Sequence, residues 1–489
     1  MPRWLAGTLA FVASGSVLVL EILAGRVLAP YVGVSLHTFT GIIGVVLAGI
    51  ATGAWLGGVL ADRVDPRRLL PGALVLGGAA AIAAIPLVRL FGASDVRPGG
   101  ATIVVLAGIG FFVPSALLSA VTPLVVKLEL ASTSETGRVV GTVSALATAG
   151  SLVGVFATGY VLVAAFPTTP VVIAVGSVLV GIGVALWWYL GRRLPAATVA
   201  AGVLVAVFAS AGAVASDGRC ELETAYFCAR VRVDPARPTG RILQLDTLEH
   251  SYVDIADPTY LGHSYATTMA DAISALAPAG QALDVVHVGG GGFTMPRYLA
   301  AVRPGTRSTV LELDEALLDL VEDELGLVLS DDLRALTGDA RTNIRALDDD
   351  SADLVIGDAF SGRSVPWHLT TREFVEDLDR VMRPDGHYVM NLIDRQSLGF
   401  ARAEIVTLQA VFEHVALVVP PGVLAGEHGG NIILVAGHTP IPVDAINAAA
   451  AQRASGRVAV TDPAGLAEFV GAADVLTDEH APVDQLLTD

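Results

Sequence analysis

One lysine, Lys127, and two cysteines, Cys220 and Cys228, are all that 489 residues contain of those two types. The single lysine reads as compositional bias and carries no functional meaning. Two cysteines eight positions apart exclude the CxxC or Cys/His spacing that holds zinc, so no metal is expected. Their separation leaves two readings open: a disulfide, if that stretch faces an oxidising compartment, or two unrelated buried thiols. Charge is also scarce at first. The first 216 residues carry eleven Lys or Arg and six Asp or Glu, while the remainder carries nineteen and forty-two. So acidic a second part excludes non-specific binding to nucleic acid or to an anionic membrane surface. It fits a solvated enzyme domain, whether the charge serves a cationic substrate or plain solubility.

What fills the first 216 residues is apolar. Seven stretches, at roughly 5–29, 38–60, 69–90, 101–126, 139–165, 170–190 and 195–216, are long enough to cross about 30 Å of hydrocarbon. The first is too long for a signal peptide, and six more follow it. Small residues, as in GVVLAGIATGAWLGGVLA (44–61), permit close helix packing in lipid, where apolar surface gives no drive to associate. Arg63, Arg67 and Arg68 follow the second stretch, Lys127 and Arg138 the fourth, Arg192 and Arg193 the sixth. The loops at 31–37 and 166–169 hold no Lys or Arg. The positive-inside bias puts the cationic loops in the cytoplasm. Seven crossings that start inside end outside, which predicts a cell-membrane protein with an extracytoplasmic second half. Arg89 and Arg97 run against this assignment. Glu21 and Arg26 are charges within the first stretch: a polar patch for a substrate or ion, or a structural pair fixing helix packing.

Near residue 216 the pattern changes. YFCARVRV (226–233), GRILQLD (240–246) and a segment near 250–254 read as a small antiparallel sheet. Then LDVVHV (283–288) is a buried-strand run, followed by glycines and a helix starting near Thr294. Strand 308–313, helix 315–325, strand and turn 335–340, strand 352–358, helix 370–382 and strand 387–393 come next. Strands alternating with helices predict a parallel sheet, with ligands at the carboxyl ends of its strands. The domains expected are a multi-span α-helical membrane domain (1–216), a small β-rich subdomain (217–275) and an α/β Rossmann-like nucleoside-binding domain (276–489).

The chemistry-bearing residues fall at those strand ends. Gly289, Gly290 and Gly291 follow the first strand and let the backbone approach a ligand. Glu312 and Asp314 close the second, about twenty residues on, where a carboxylate accepts both ribose hydroxyls. Asp339-Ala340 closes the third, where an acid can bind an adenine amino group. Asp358 closes the fourth, beside the reactive centre. Each acid alone reads as a surface loop residue. All of them in order at successive strand ends point to an adenosyl nucleoside.

These blocks resemble the polyamine aminopropyltransferases, the spermidine synthase family, and most of all its membrane-fused branch. The resemblance rests on LEILAGRVLAPYVG (20–33), GGVLADR (57–63), VGGGGFTMPRYL, LELDEALLDL, TGDARTNI, DLVIGDAFSGRSVPWHLTTREF and LTDEHAPVD (476–484). It implies a methyltransferase-like Rossmann domain, Glu312 on the ribose, Asp339 and Ala340 on the adenine, and Asp358 as acid/base. His250, Tyr265 and Ser361 become the substrate-binding candidates. Departures cluster on the amine-reading side. Gly292 stands where the family carries an Asp, and Ser361 where it carries a second one. Tyr265-Ala266-Thr267 replaces a Tyr-His-Glu gate, and Phe227 replaces a glutamine. Without those carboxylates a diamine cannot be held by the usual charge-assisted bonds.

Three functions are expected. In the first, Asp358 takes a proton from a small amine acceptor such as putrescine, which attacks the methylene beside the sulfonium of decarboxylated S-adenosylmethionine. His368 and Asp394 are reserve bases. The second is an S-adenosylmethionine-dependent methyltransferase acting on a membrane-associated acceptor. The third is a transporter or sensor whose soluble domain only binds a nucleoside or polyamine. The partners expected are the lipid bilayer, the amine acceptor and a second copy in a homodimer.

Overall fold

Apolar runs of twenty residues or more, with little to interrupt them, form helices that rise 1.5 Å per residue. Among the described residues seven are long and apolar enough to cross a membrane: α1 (Arg3–Val32), α2 (Leu36–Arg63), α3 (Pro66–Gly92), α4 (Gly100–Glu129), α5 (Thr136–Ala165), α6 (Thr168–Tyr189) and α7 (Ala196–Ala215). Ser35 starts α2 by accepting from the Thr38 amide at 3.1 Å. Asp65 starts α3 by accepting from the Arg67 amide, with Pro66 at the first helical position. The computed structural model describes every residue except 94–98, 131–135, 217–218, 363, 454–457, 461–462 and 488–489. Arg97 and the expected boundary at 217 therefore lie outside the described residues.

The chain divides into two units. The first is Met1–Arg230 with Leu245–Thr247, and the second is Val231–Gln244 with Leu248–Asp489. In the first unit α1 and α5 meet backbone to backbone. A Cβ at Gly150 would lie 2.1 Å from the Phe11 carbonyl oxygen, and one at Gly154 would lie 2.5 Å from that of Gly15. Only glycine permits that approach. At one end of this unit Lys127 pairs with Asp62 at 2.7 Å and Arg193 with Asp65 at 2.8 Å, so the cationic loops share an end.

Arg89 is not a loose loop cation. Its Nη1 donates to the Ala213 and Ser216 carbonyls that close α7, and its Nη2 donates to Thr169 Oγ1 at 3.0 Å. Glu223 stands 3.7 Å away and accepts from the Thr169 amide at 3.0 Å. A guanidinium committed to helix-end carbonyls and a carboxylate carries little weight as a sidedness signal. Arg26 Nη1 likewise donates to the Val163 carbonyl. Cys220 and Cys228 form a disulfide, which decides between the two readings of the pair.

A small sheet has the order β1-β2-β3-β4: β1 (Leu222–Glu223), β2 (Cys228–Asp234), β3 (Arg237–Leu245) and β4 (Leu248–Asp254). The second unit continues through α8 (Ser264–Leu276), β5 (Asp284–Val288), α9 (Thr294–Val302), β6 (Arg307–Glu312), α10 (Glu315–Leu325), β7 (Leu333–Thr337) and α11 (Ala340–Ile344). Then come β8 (Ala352–Gly357), α12 (Arg372–Val381), β9 (Met382–Asp394), α13 (Gly399–Gln409), β10 (His414–Val419), β11 (Gly430–Gly437) and β12 (Val458–Val460). Val286 and Val288 pack on one face against Phe374 and Leu378, and Val285 packs on the other against Met269 and Ile273. Burial on both faces is why these strands read as unbroken apolar runs.

The sheet order is β12-β10-β11-β9-β8-β5-β6-β7. Five strands, β7 to β9 through β5, are parallel as expected. Beyond the strands expected from the sequence, β11, β10 and β12 return antiparallel, so the sheet is mixed. Strand order reverses between β5 and β8, and the crevice at the carboxyl ends there is where such sheets bind ligands.

Candidate functional site

The loop after β5 is built by its glycines. Gly289 has φ +97°, and a Cβ there would lie 2.7 Å from the Asp358 carbonyl oxygen, so the loop closes against the end of β8. Gly291 has φ +50° and is braced by β4, where a Cβ would meet Ser251 Oγ and His250 Nδ1. The Gly292 amide donates to Ser251 Oγ at 3.0 Å. Phe293 then takes left-handed φ +57° as a fully buried side chain, a costly conformation for a residue with a Cβ.

Glu312, at the end of β6, organises this loop. Its Oε2 accepts from the Gly290 amide at 2.8 Å and the Gly291 amide at 3.2 Å, and its Oε1 accepts from the Asp314 amide at 2.9 Å. Burial raises its pKa, and the three amides pull the other way. Asp314 is buried and caps α10 by accepting from the Leu317 amide. Asp339, after β7, caps α11 through the Thr342 amide at 3.0 Å, with Ala340 buried behind it. Its other oxygen lies 2.9 Å from His368 Nε2. His368 thus stands beside Asp339 at the end of β7, and its contact is with that carboxylate.

Asp358 follows β8, set deep yet not sealed from solvent. Burial pushes its carboxyl up to about 6, against hydrogen bonds from Asn391 and Tyr265 that favour the anion. Asn391 Nδ2 donates to Asp358 Oδ1 at 2.8 Å, and Asn391 is itself held by Asn431 at 3.1 Å. Tyr265 Oη also lies 3.3 Å from the His250 carbonyl oxygen. Its one proton serves one acceptor at a time, and a carboxylate is the stronger. Burial, with His263 nearby, lowers the His250 imidazole to about 4, so it is neutral at ordinary pH. His263 stacks on Tyr265 with ring centroids 5.8 Å apart.

The structure thus joins Asp358, Tyr265, His250, the glycine loop and Glu312 in one run of contacts. Asp339 lies beyond the Gly338 amide, which donates to the Glu312 carbonyl at 2.8 Å. Ser361 is exposed and bridges to Ser364, with no contact to Asp358 shown. Asp394 accepts from the Arg395 and Ala401 amides, both at 2.7 Å, and holds a turn. Asn391, Asn431, Ser251 and His263 were not anticipated. Asn391 carried a signal, a lone amide inside the apolar run YVMNLI. Among the described residues no group of three His, Cys, Asp or Glu is placed to hold a metal.

No family model matches the chain. Over 161 residues it is 28% identical to a polyamine aminopropyltransferase of Vibrio vulnificus, a match covering 32% of this chain. The chain spans about half the length of that curated relative, 51%. A solved structure, a probable spermidine synthase from Corynebacterium glutamicum, is similar at 28% identity with a TM-score of 0.50. That match covers 53% of this chain and 95% of the other.

Proposed function

We propose, from a C-terminal half that is spermidine synthase-like in sequence and in fold, that this chain is a membrane-bound aminopropyltransferase-like enzyme. It would move an aminopropyl group from decarboxylated S-adenosylmethionine to a small amine. The observation that carries this reading is Asp358, a carboxylate held by Asn391 and Tyr265 where the glycine loop crosses the end of β8. The amine nitrogen bonds to the methylene beside the sulfonium, and the C–S bond breaks with its electron pair going to sulfur. As the N–C bond forms, the Asp358 carboxylate accepts the proton that the nitrogen sheds. The products are a secondary amine, a neutral thioether nucleoside and a proton released from Asp358. The sulfonium is already activated, so orientation and a tuned base supply most of the catalysis. A carboxyl near 6 is far less basic than an alkylamine. Proton transfer therefore accompanies N–C bond formation, as the nitrogen grows acidic.

Glu312, Asp339 and Ala340 would hold the nucleoside, and His250 and Tyr265 would face the acceptor. In this reading α1–α7 cross the bilayer with the Arg63, Lys127 and Arg193 end in the cytoplasm. The chain beyond α7 is then outside, a sidedness that the Cys220–Cys228 disulfide supports. The partners are the bilayer, a small amine and a second copy of the chain, with no nucleic acid.

One observation favours a second reading. A Cβ at Gly292 would lie 2.8 Å from Ser251 Cβ and 3.2 Å from Val253 Cγ2, so β4 fills the space a side chain would need. A loop with no carboxylate there suits a donor that keeps its own, ordinary S-adenosylmethionine, with methyl transfer as the reaction. Calorimetry with both donors, the thioether product and putrescine separates the two. Preference for the decarboxylated donor supports aminopropyl transfer, preference for the carboxylated one supports methyl transfer, and binding of neither rejects both.

A further inference from the structure

We infer that the C-terminal segment LTDEHAPVD (476–484) positions the base end of the site, with Asp478 acting through Arg341. Its role toward a nucleoside rests on the reading proposed above, whereas the latch is a set of contacts within the second unit.

Two short elements carry the Asp339–His368 pair. Asp339 caps the five-residue α11, and His368 lies in the three-residue turn Trp367–Leu369. Elements this short have few internal hydrogen bonds and depend on their neighbours for position. Arg341, two residues after Asp339, ties them together. Its Nη1 and Nη2 donate to Asp478 Oδ1 and Oδ2 at 2.7 and 2.6 Å, a two-pronged pair. The same Nη1 lies 3.1 Å from the His368 carbonyl oxygen and 3.4 Å from Thr371 Oγ1. Thr371 Oγ1 donates to Asp478 Oδ1 at 2.8 Å.

The segment is itself anchored. The Asp478 amide donates to Glu373 Oε2 at 3.0 Å, the Leu476 amide to Thr407 Oγ1 at 2.8 Å, and Arg372 donates its amide to the Leu476 carbonyl at 2.8 Å. Arg341 is 11% exposed and Asp478 42%, so the pair is shielded from one side only. The guanidinium holds the Asp478 carboxyl below its ordinary range, which keeps the bridge charged through neutral pH. Asp478 thereby fixes the distance between α11 and the 367–371 turn. His368 then orients the Asp339 carboxylate, whose remaining lone pairs can read an exocyclic amino group.

The test uses the full chain in detergent, with Asp478→Asn and Arg341→Lys. Hydrogen exchange is followed over 340–344 and 367–371. Calorimetry compares 5′-methylthioadenosine with its 6-oxo analogue, which lacks the amino group. Asp478→Asn should speed exchange in both segments. It should weaken the amino-bearing ligand about tenfold and the 6-oxo ligand less than about threefold, the scale of one lost charged contact. Arg341→Lys, which keeps charge but loses the fork, should fall between. Unchanged exchange in both variants overturns the latch. Equal weakening of both ligands reduces the segment to a general support. If the unsubstituted chain binds neither ligand, the nucleoside role falls with the reading above, and exchange alone decides the latch.

Discussion

Asn391 gives the sharpest handle on the proposed base. Its amide donates one hydrogen bond of 2.8 Å to Asp358, favouring the charged carboxylate, while burial pushes that carboxyl up to about 6. Asn391→Leu removes the bond at similar volume. A hydrogen bond to a charged group contributes about 1.5–3 kcal/mol, and Tyr265 remains as a second donor, so the low end applies. At about 1.4 kcal/mol per pH unit this raises the Asp358 pKa by about one unit. A base works deprotonated. The acid limb of kcat/KM, which reports the free enzyme, should therefore move from about pH 6 to about pH 7. Above pH 8 the two enzymes should converge. Protonation of the acceptor amine shapes both profiles equally, so it cancels in the comparison. Asn431 loses its partner as well, and a lower Tm is expected without bearing on the limb. An acid limb that stays in place, or moves to lower pH, would refute Asp358 as the titrating base.

Four further outcomes are expected. Asp358→Asn should abolish turnover while leaving affinity for the thioether product nearly intact; product binding that falls as far as turnover would make Asp358 a binding residue. Glu312→Gln should weaken nucleoside binding by about 1.5–3 kcal/mol, with unchanged calorimetric affinity in a folded variant removing its assignment. Glu404 is 1% exposed with neither carboxylate oxygen partnered, and burial raises its pKa well above the ordinary value. A raised acid contributes its full stability below the unfolded pKa and loses it as pH rises, so Glu404→Met should gain Tm progressively from pH 5 to 8; a gain independent of pH would contradict this. In intact cells, an impermeant reagent should label sites in 231–489 and thiol trapping should find Cys220 and Cys228 blocked, whereas protected sites with free thiols would reverse the orientation.

The seven long helices were legible to within a few residues because apolar length is a local property of the chain. So were the parallel strands whose ends carry Gly289, Glu312, Asp339 and Asp358. The antiparallel return was not, because a run such as NIILVAG reports burial and says nothing of direction, which depends on register with β9. For the same reason the Asn391–Asn431 pair was hidden: the two amides meet only once β9 and β11 are aligned. His368 and Asp394 were recognisable as titratable groups near the right strands, but partner choice decides their roles. Ser251 belongs to β4, and no spacing rule connects it to a glycine forty-one residues later.

The crossing of α1 and α5 bears on whether the helical half could work as a carrier. A carrier exposes a site to each side in turn by rocking one group of helices against another. Where Gly15, Gly150 and Gly154 bring two main chains together, there is no cushion of side chains to slide on. Rocking about that seam would have to pull the two backbones apart and leave a gap in lipid with no side chain to fill it. The seam is therefore a fixed axle, and rocking in this unit would have to run between helices other than this pair. Cross-linking α1 to α5 at positions flanking Gly15 and Gly150 should accordingly leave every activity of the chain untouched.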